Sequence, residues 1–299
     1  MDIIKVTPRG YCRGVVRAIN IAKQAAHDYP KDPIYVLGML VHNAYVVEAL
    51  RQIGIEPLDD EFKTKSELLD EIKTGVIIFT AHGIAPSLIE KAQQKGLRCI
   101  DASCPNVITT QKIVANYLEK GFEVLYIGKK SHPEAEAICS LSNHVHLIEF
   151  EHDIEINLGK NIFVTNQTTM SIFDVNDLFK SIKTIYPSAI FSEEICDATR
   201  IRQEAIAKLE NIDVLYVVGD IHSNNSNRLA QIGKEHGISD VYLIDDVHGI
   251  SSEQLINKNR IAITSGASTP TYLTNQVIDY LEQYERRKEK PNIQLFDIL

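Results

Sequence analysis

Residues 10–19 read GYCRGVVRAI, a cysteine between two glycines that follows a short apolar run and precedes a helical-looking stretch. A thiol in that setting serves as packing, as a nucleophile or as a metal ligand, and its own neighbours do not choose among the three. The rest of the chain does. Cys12, Cys104 and Cys196 follow one another at two equal steps of 92 residues. Their surroundings are RGYCRGVVRAINIAKQA, DASCPNVITTQKIVANYL and EEICDATRIRQEAIAKL, and each sets the cysteine at the start of an amphipathic pattern. Pro105, directly after Cys104, suits a first helical position.

Two further elements recur in the same order. PIYVLGMLVHN, EVLYIGKKSHP and DVLYVVGDIHS each give an apolar strand, a glycine (Gly38, Gly128, Gly219) and a polar loop. His42 and His132 stand four residues past their glycines, and Ser223 takes that place in the third copy. GVIIFTAHG, NIFVTNQTT and RIAITSGAS are apolar strands running to Thr80, Thr165 and Thr264, each followed by a loop and a helical pattern. Three elements, three times over, make a repeat. Its period suits a small α/β domain rather than a solenoid unit.

Continuous apolar strands alternating with helices predict buried, mostly parallel sheets. The expected fold is α/β, with three similar small domains in a pseudo-threefold trefoil around a central cavity. The expected boundaries are 13–103, 104–195, and 196–284 together with 1–12, with a tail at 285–299 that either folds back or frays. Ligands of open parallel sheets bind beyond the carboxyl ends of the strands, so the repeated loops are expected to face one cavity. Helix N-termini there suit thiolates and phosphates.

Composition sets the outer limits. With 299 residues, 44% hydrophobic and 24% charged, the chain can bury real cores. A formal charge of -9 gives no reason to expect nucleic acid or an anionic membrane surface. No apolar run nears the roughly 18 residues of a membrane span. MDIIKVTPRG lacks the pattern of an export signal, so a cytoplasmic protein is expected. Thiols in that compartment are filler, nucleophiles or ligands rather than disulfides.

The equivalent positions of Cys12, Cys104 and Cys196 favour ligands over filler. Three thiolates suit either a zinc site with an open position or an iron–sulfur cluster with one iron lacking a protein ligand. Cys99 and Cys139 have no repeat partners and read as filler. His42, His82 and His132, with Ser223, Asn225 and Ser268, offer donors that hold phosphate oxygens without Lys or Arg. Glu134, in SHPEAE, is either a first-turn carboxylate favoured by the helix dipole or a buried proton donor. Thr168 and Thr169 are caps or substrate-orienting hydroxyls. NNSNRL, 224–229, is a helix cap and a candidate anion cradle.

GYCRGV, VHN, TAHG, DASCPNV, SHPEAE, TNQTT, ICDAT, NNSNRL and TSGAS, in that order over residues 1–282, resemble the 4-hydroxy-3-methylbut-2-enyl diphosphate reductase family. These are the last enzymes of the methylerythritol phosphate route to isoprenoids. The resemblance implies one 4Fe–4S cluster held by Cys12, Cys104 and Cys196, with an open apical iron for substrate. It implies a diphosphate grip by His42, His82, His132, Ser223, Asn224, Asn225 and Ser268, and a proton relay through Glu134 helped by Thr168 and His132. It further implies a ferredoxin- or flavodoxin-type electron donor, with no nucleic acid and no membrane partner. The chain departs from the resembled pattern at Tyr11 (phenylalanine expected), Ser131 (glycine) and Asn224 (serine). The competing reading of the same thiols is a zinc hydrolase or lyase acting on a phosphorylated small molecule.

Overall fold

The computed structural model describes the chain apart from residues 61, 155, 156, 160, 193–195, 285, 287 and 288. The boundary expected at 195 and the expected start of the tail at 285 therefore fall outside the described residues. The chain begins β1 (Asp2–Lys5), α1 (Arg13–Asp28), β2 (Ile34–Leu37), α2 (Ala44–Gln52), β3 (Ile55–Leu58), α3 (Lys65–Glu71), β4 (Val76–Phe79), α4 (Pro86–Gln94) and β5 (Arg98–Asp101). It continues α5 (Pro105–Glu119), β6 (Glu123–Ile127), α6 (Pro133–Cys139), β7 (Val145–Ile148), β8 (Ile162–Asn166), α7 (Ile172–Ile185) and β9 (Ile190–Phe191). Last come α8 (Asp197–Ala207), β10 (Val214–Val218), α9 (Asn224–Glu235), β11 (Asp240–Ile244), β12 (Arg260–Ser265) and α10 (Thr271–Glu282). Among the described residues no helix is long and apolar enough to cross a membrane.

The strands form three four-stranded sheets, ordered β3-β2-β4-β5, β7-β6-β8-β9 and β11-β10-β12-β1. Every pairing is parallel. The three orders are one topology, with β1 from the far end of the sequence filling the last slot of the third sheet. Its register sets Asp2 against Arg260 and Lys5 against Ile263. In each sheet the order reverses between two adjacent strands: β2 and β4, β6 and β8, β10 and β12. A crevice opens at such a switch point, beyond the carboxyl ends of the two strands.

Contacts divide the chain into two compact units. Unit 1 is Met1–Val16, Val41–Ile53 and Ala198–Leu299, and unit 2 is Arg17–Leu40 and Gly54–Asp197. Unit 1 holds the sheet containing β1, and unit 2 holds the other two. The β6 strand shows why these strands read as continuous apolar runs. Leu125 and Ile127 face one core with Val175, Leu178 and Ile182 of α7. Val124 and Tyr126 face another with Val114 of α5 and Ala135 and Ile138 of α6. Both faces are covered by helices, so alternation with polar residues is lost. All five residues of β10 are buried in the same way.

Ile182 is fully buried in α7. Ile182→Ala is expected to cost about 2–5 kcal/mol, the usual range for emptying a packed site, read as a lower denaturant midpoint at unchanged slope. No loss of stability would show that α7 is not a wall of that core.

Candidate functional site

In unit 2 the site is built on the loops that follow β4, β5, β6 and β8. His132 caps α6: its Nδ1 accepts the Glu134 amide at 3.2 Å. A ring nitrogen that accepts has no proton, so the donor of His132 is Nε2–H. His82, two residues past Thr80 on the loop after β4, meets the His132 ring edge-on at 5.6 Å between centroids. The same loop anchors Cys104, whose amide donates to Ala81 O at 2.9 Å. Cys104 is the N-cap of α5, with Pro105 at its first turn, and Arg17 Nη1 donates to Ser103 O at 2.8 Å. Gly83 has φ +86, and a Cβ there would press on Val107 and Gln111 of α5, so glycine lets this loop lie against the helix.

Glu134 is 1% exposed on the first turn of α6. Thr168 Oγ1 donates to its Oε2 at 2.7 Å, the Thr168 amide to Oε1 at 2.9 Å, and Tyr126 Oη to Oε1 at 3.2 Å. Those bonds favour the anion, but burial outweighs them and pushes the carboxyl up to about 7. The same burial, with Glu134 beside it, raises the Tyr126 phenol well above its ordinary range, so Tyr126 is a donor. Gln167, fully buried, ties the two loops that carry this group together. Its Oε1 accepts the Lys129 amide at 2.9 Å, its amide donates to Ile127 O at 2.7 Å, and its Nε2 reaches Thr169 Oγ1 at 2.7 Å. Ser131, just before His132, stands at φ +63, the left-handed region that favours glycine. That is the physical reason a glycine is expected there.

In unit 1 the loop after β12 is the hub. Ala267 O accepts the Cys12 amide at 3.0 Å, and Ser268 Oγ donates to His42 O at 3.0 Å. A Cβ at Gly266 or Gly219 would run into Ser226 Oγ and crowd Thr269 Oγ1, so two glycines let the first turn of α9 sit on the ends of β10 and β12. Ser223 is the N-cap of that helix, its side chain accepting from the Ser226 amide at 3.3 Å. Asn224 and Asn225 follow, both buried. Asn225 is 5% exposed, and neither its Oδ1 nor its Nδ2 has a partner among the described residues. A buried amide left so is costly unless a ligand satisfies it. Asp220 links the loop before α9 to α2, accepting the Ala44 amide at 2.8 Å and the His222 amide at 2.8 Å. Asn43 caps α2, accepting from the Val46 amide at 3.2 Å.

The Cys12 loop is held by a buried cation. Arg202, on α8, donates from Nη2 to Gly10 O at 2.8 Å and from Nη1 to Pro8 O and Ser265 O, each at 3.2 Å. Gly10 also donates its amide to Ser265 Oγ at 2.6 Å. It stands at φ +74, where a Cβ would strike Thr271. Cys196, half-buried, directly precedes α8, so all three repeated cysteines stand at helix starts and none is in a disulfide. Burial raises the thiols of Cys99 and Cys139, as filler positions require. Among the described residues no three His, Cys, Asp or Glu side chains form a group able to hold a metal ion.

The structure thus joins His82, His132, Glu134 and Thr168 in one network of unit 2, beside Cys104. It joins Cys12, His42 and Ser268 through one loop of unit 1, with Ser223, Asn224 and Asn225 at the head of α9. Tyr126, Gln167, Arg202 and Asp220 are positioning residues that the sequence reading passes over. Gln167 lies inside TNQTT and Arg202 inside ICDATRIRQEA, but nothing local distinguishes a buried polar side chain from a solvated one.

A protein-family model described as LytB protein matches residues 3–282. The chain is 44% identical over 297 residues to a 4-hydroxy-3-methylbut-2-enyl diphosphate reductase of Symbiobacterium thermophilum, covering 97% of this chain and 100% of that protein. It is 47% identical over 291 residues to one of Geobacillus thermodenitrificans, covering 95% and 91%. Among solved structures, E-1-hydroxy-2-methyl-but-2-enyl-4-diphosphate reductase from Plasmodium falciparum superposes with a TM-score of 0.88 at 29% identity, covering 98% and 95%. A second, (E)-4-hydroxy-3-methyl-but-2-enyl diphosphate reductase, gives 0.65 at 28% identity.

Arg202→Met strips three carbonyls, two of them in buried bonds, of their donor and is expected to cost about 2–4 kcal/mol. Hydrogen exchange is expected to rise first at residues 8–12. Uniform exchange across β10 and β12 instead would show that the guanidinium serves the sheet rather than the Cys12 loop.

Proposed function

Because the chain belongs to the LytB family, its model matching residues 3–282, we propose that it reduces 4-hydroxy-3-methylbut-2-enyl diphosphate to isopentenyl and dimethylallyl diphosphate. The reaction consumes two electrons and two protons, breaks the allylic C–O bond and releases water. The observation that carries the reading is Glu134, a carboxyl kept protonated near neutrality inside a network with Thr168, Tyr126 and His132. The relatives give no support to the zinc hydrolase or lyase alternative, and zinc has no redox chemistry to offer a reductase.

Donor chemistry supports a 4Fe–4S cluster held by Cys12, Cys104 and Cys196, each a half-buried thiol at a helix start. When bound, that group would supply the electrons and a Lewis-acidic iron for the leaving oxygen. The chain's own residues grip and protonate. Asn225, Asn224, Ser223 and the head of α9 offer neutral donors to diphosphate oxygens, with His42 and Ser268 beside them in unit 1. His132 Nε2–H and His82 do so from unit 2. Glu134 gives a proton and Thr168 orients it, its hydroxyl bonded to Oε2 and its amide to Oε1. We place the three repeats at 13–103, 104–195, and 196–284 with 1–12, so that Cys104 opens the second repeat and Cys12 and Cys196 both fall in the third. A ferredoxin- or flavodoxin-type donor and a cytoplasmic setting complete the proposal.

Anaerobic purification is expected to give a brown protein with broad visible absorption; a colourless protein that takes up no iron and sulfide would end the cluster assignment. Glu134→Gln is expected to lower turnover by about 10²–10⁴-fold, the usual worth of a general acid, with diphosphate binding retained. Turnover that survives would remove Glu134 from the proton path. The raised carboxyl also fixes a sign. The folded state keeps a proton to about pH 7 that the unfolded chain releases near 4.5, so this group's contribution to stability falls as pH rises between those values. Wild type is therefore expected to lose stability relative to Glu134→Gln over that window, by about 3 kcal/mol at most. Parallel pH profiles of the two would contradict the assignment.

A further inference from the structure

Residues 289–299 lie beyond the stretch the family model matches, yet they are well seated on unit 1. Lys290 Nζ donates to His248 O at 3.0 Å, and Asn292 O accepts Gln276 Nε2 of α10 at 3.1 Å. The Gln294 amide donates to Tyr272 Oη at 3.2 Å. A short 3-10 turn, Leu295–Asp297, then lies against α2. Ile298 follows, 1% exposed, and its carbonyl accepts Tyr11 Oη at 2.8 Å.

Beyond its anchors on His248 and α10, this segment touches the residue before Cys12 and the helix that starts just after His42. The main chain around Cys12 is already fixed at Pro8, Gly10 and Cys12 by Arg202, Ser265 and Ala267. Tyr11 adds a bond from its side chain, so the loop is held from a second direction. On the other side, α2 is held at its start by Asp220 and Asn43 and along its body by the 295–297 turn. We infer that Tyr11 is a positioning residue and that residues 291–298 are a strap, which through the Tyr11 hydroxyl and the 295–297 turn holds the Cys12 loop and α2 in one arrangement. The consequence for catalysis rests on the reductase reading: a fixed Cys12 loop retains its ligand position, and a fixed α2 keeps the His42 end of the diphosphate grip.

The test begins on the cluster-free protein, where the reductase reading plays no part. Hydrogen exchange is followed in wild type, Tyr11→Phe, a chain ending at residue 290, and the combination. Tyr11→Phe keeps the ring and loses the hydroxyl, and is expected to speed exchange at residues 8–14 and 43–50 by about three- to tenfold, the opening expected for one lost hydrogen bond of ordinary strength. The shortened chain is expected to speed the same two regions at least as much, and Tyr11→Phe to add nothing in that background. Exchange in β6 and β8 is expected to stay unchanged, which separates a loosened loop from a less stable protein. Unchanged exchange at residues 8–14, or effects of the two changes that simply add, would overturn the strap. On the reconstituted protein, both variants are expected to lose visible absorption in air several-fold faster than wild type and to raise KM more than they lower kcat. Exchange as expected in a protein that takes up no cluster would leave the strap standing and end the reductase reading instead.

Discussion

A parallel sheet joined by helical crossovers points every strand's carboxyl end, and the amino end of every following helix, at the same edge. That constraint governs this chain. Each of its three sheets has the same strand order, so each offers a switch-point crevice flanked by two loops and a third loop after its outer strand. The residues with chemistry sit on those loops: His42 and His82, His132 and Thr168, Ser223 and Ser268 at the crevices, and the cysteines after the outer strands. Amide donors left unpaired at helix starts favour whatever is anionic, which suits both thiolates and phosphate oxygens. Helix-start amides can favour an anion without Lys or Arg, so the net charge of -9 is no obstacle to an anionic ligand.

The loops hold their shape through buried polar side chains rather than apolar packing. Gln167 spans the ends of β6 and β8, Asp220 links the approach to α9 with the start of α2, and Arg202 gathers Pro8, Gly10 and Ser265. Each satisfies main-chain groups that a loop cannot satisfy for itself, since a buried loop otherwise leaves donors and acceptors unpaired. Small residues do the complementary work where backbones come close, at Gly10, Gly83, Gly219 and Gly266. Loosening one such contact moves a whole loop, so side chains far from a ligand can still set its geometry.

Much of this was legible in the sequence because duplication printed it three times. The recurring strand–glycine–loop and strand–threonine–loop patterns gave the parallel α/β class, and the equal cysteine steps gave the helix starts. Pro105 stands at the first turn of α5, where capping rules put it. What stayed hidden is polar and buried. Arg202 sits in a helix with Arg200 and Glu204, which pair on the surface, and no pattern of charge separates the buried guanidinium from its exposed neighbour. Tyr126 reads as one more strand aromatic until its hydroxyl is seen on Glu134. Ser131 is an instructive middle case: its departure from glycine was visible, but the cost it carries needs the observed φ of +63. The path of residues 289–299 had no signal at all, because contacts of a short irregular segment follow no period.

Glu134 shows how the same helix-end field is made to serve opposite ends. On the first turn of α6 it feels a dipole that favours the anion, by about 0.3–1 kcal/mol at an exposed site. Three hydrogen bonds, from Thr168 twice and Tyr126 once, push the same way. Each alone would lower the carboxyl below 4.5. Desolvation exceeds them all and carries it to about 7, because a carboxylate shut away from water loses more than the local donors return. The bonds therefore do not set the protonation state. They set position, holding the two oxygens unequally so that the acid is presented in one orientation. An exposed glutamate at this place would be an anion and a helix cap; burial is what turns it into an acid. Any anion bound near it would disfavour the carboxylate further, since like charges repel.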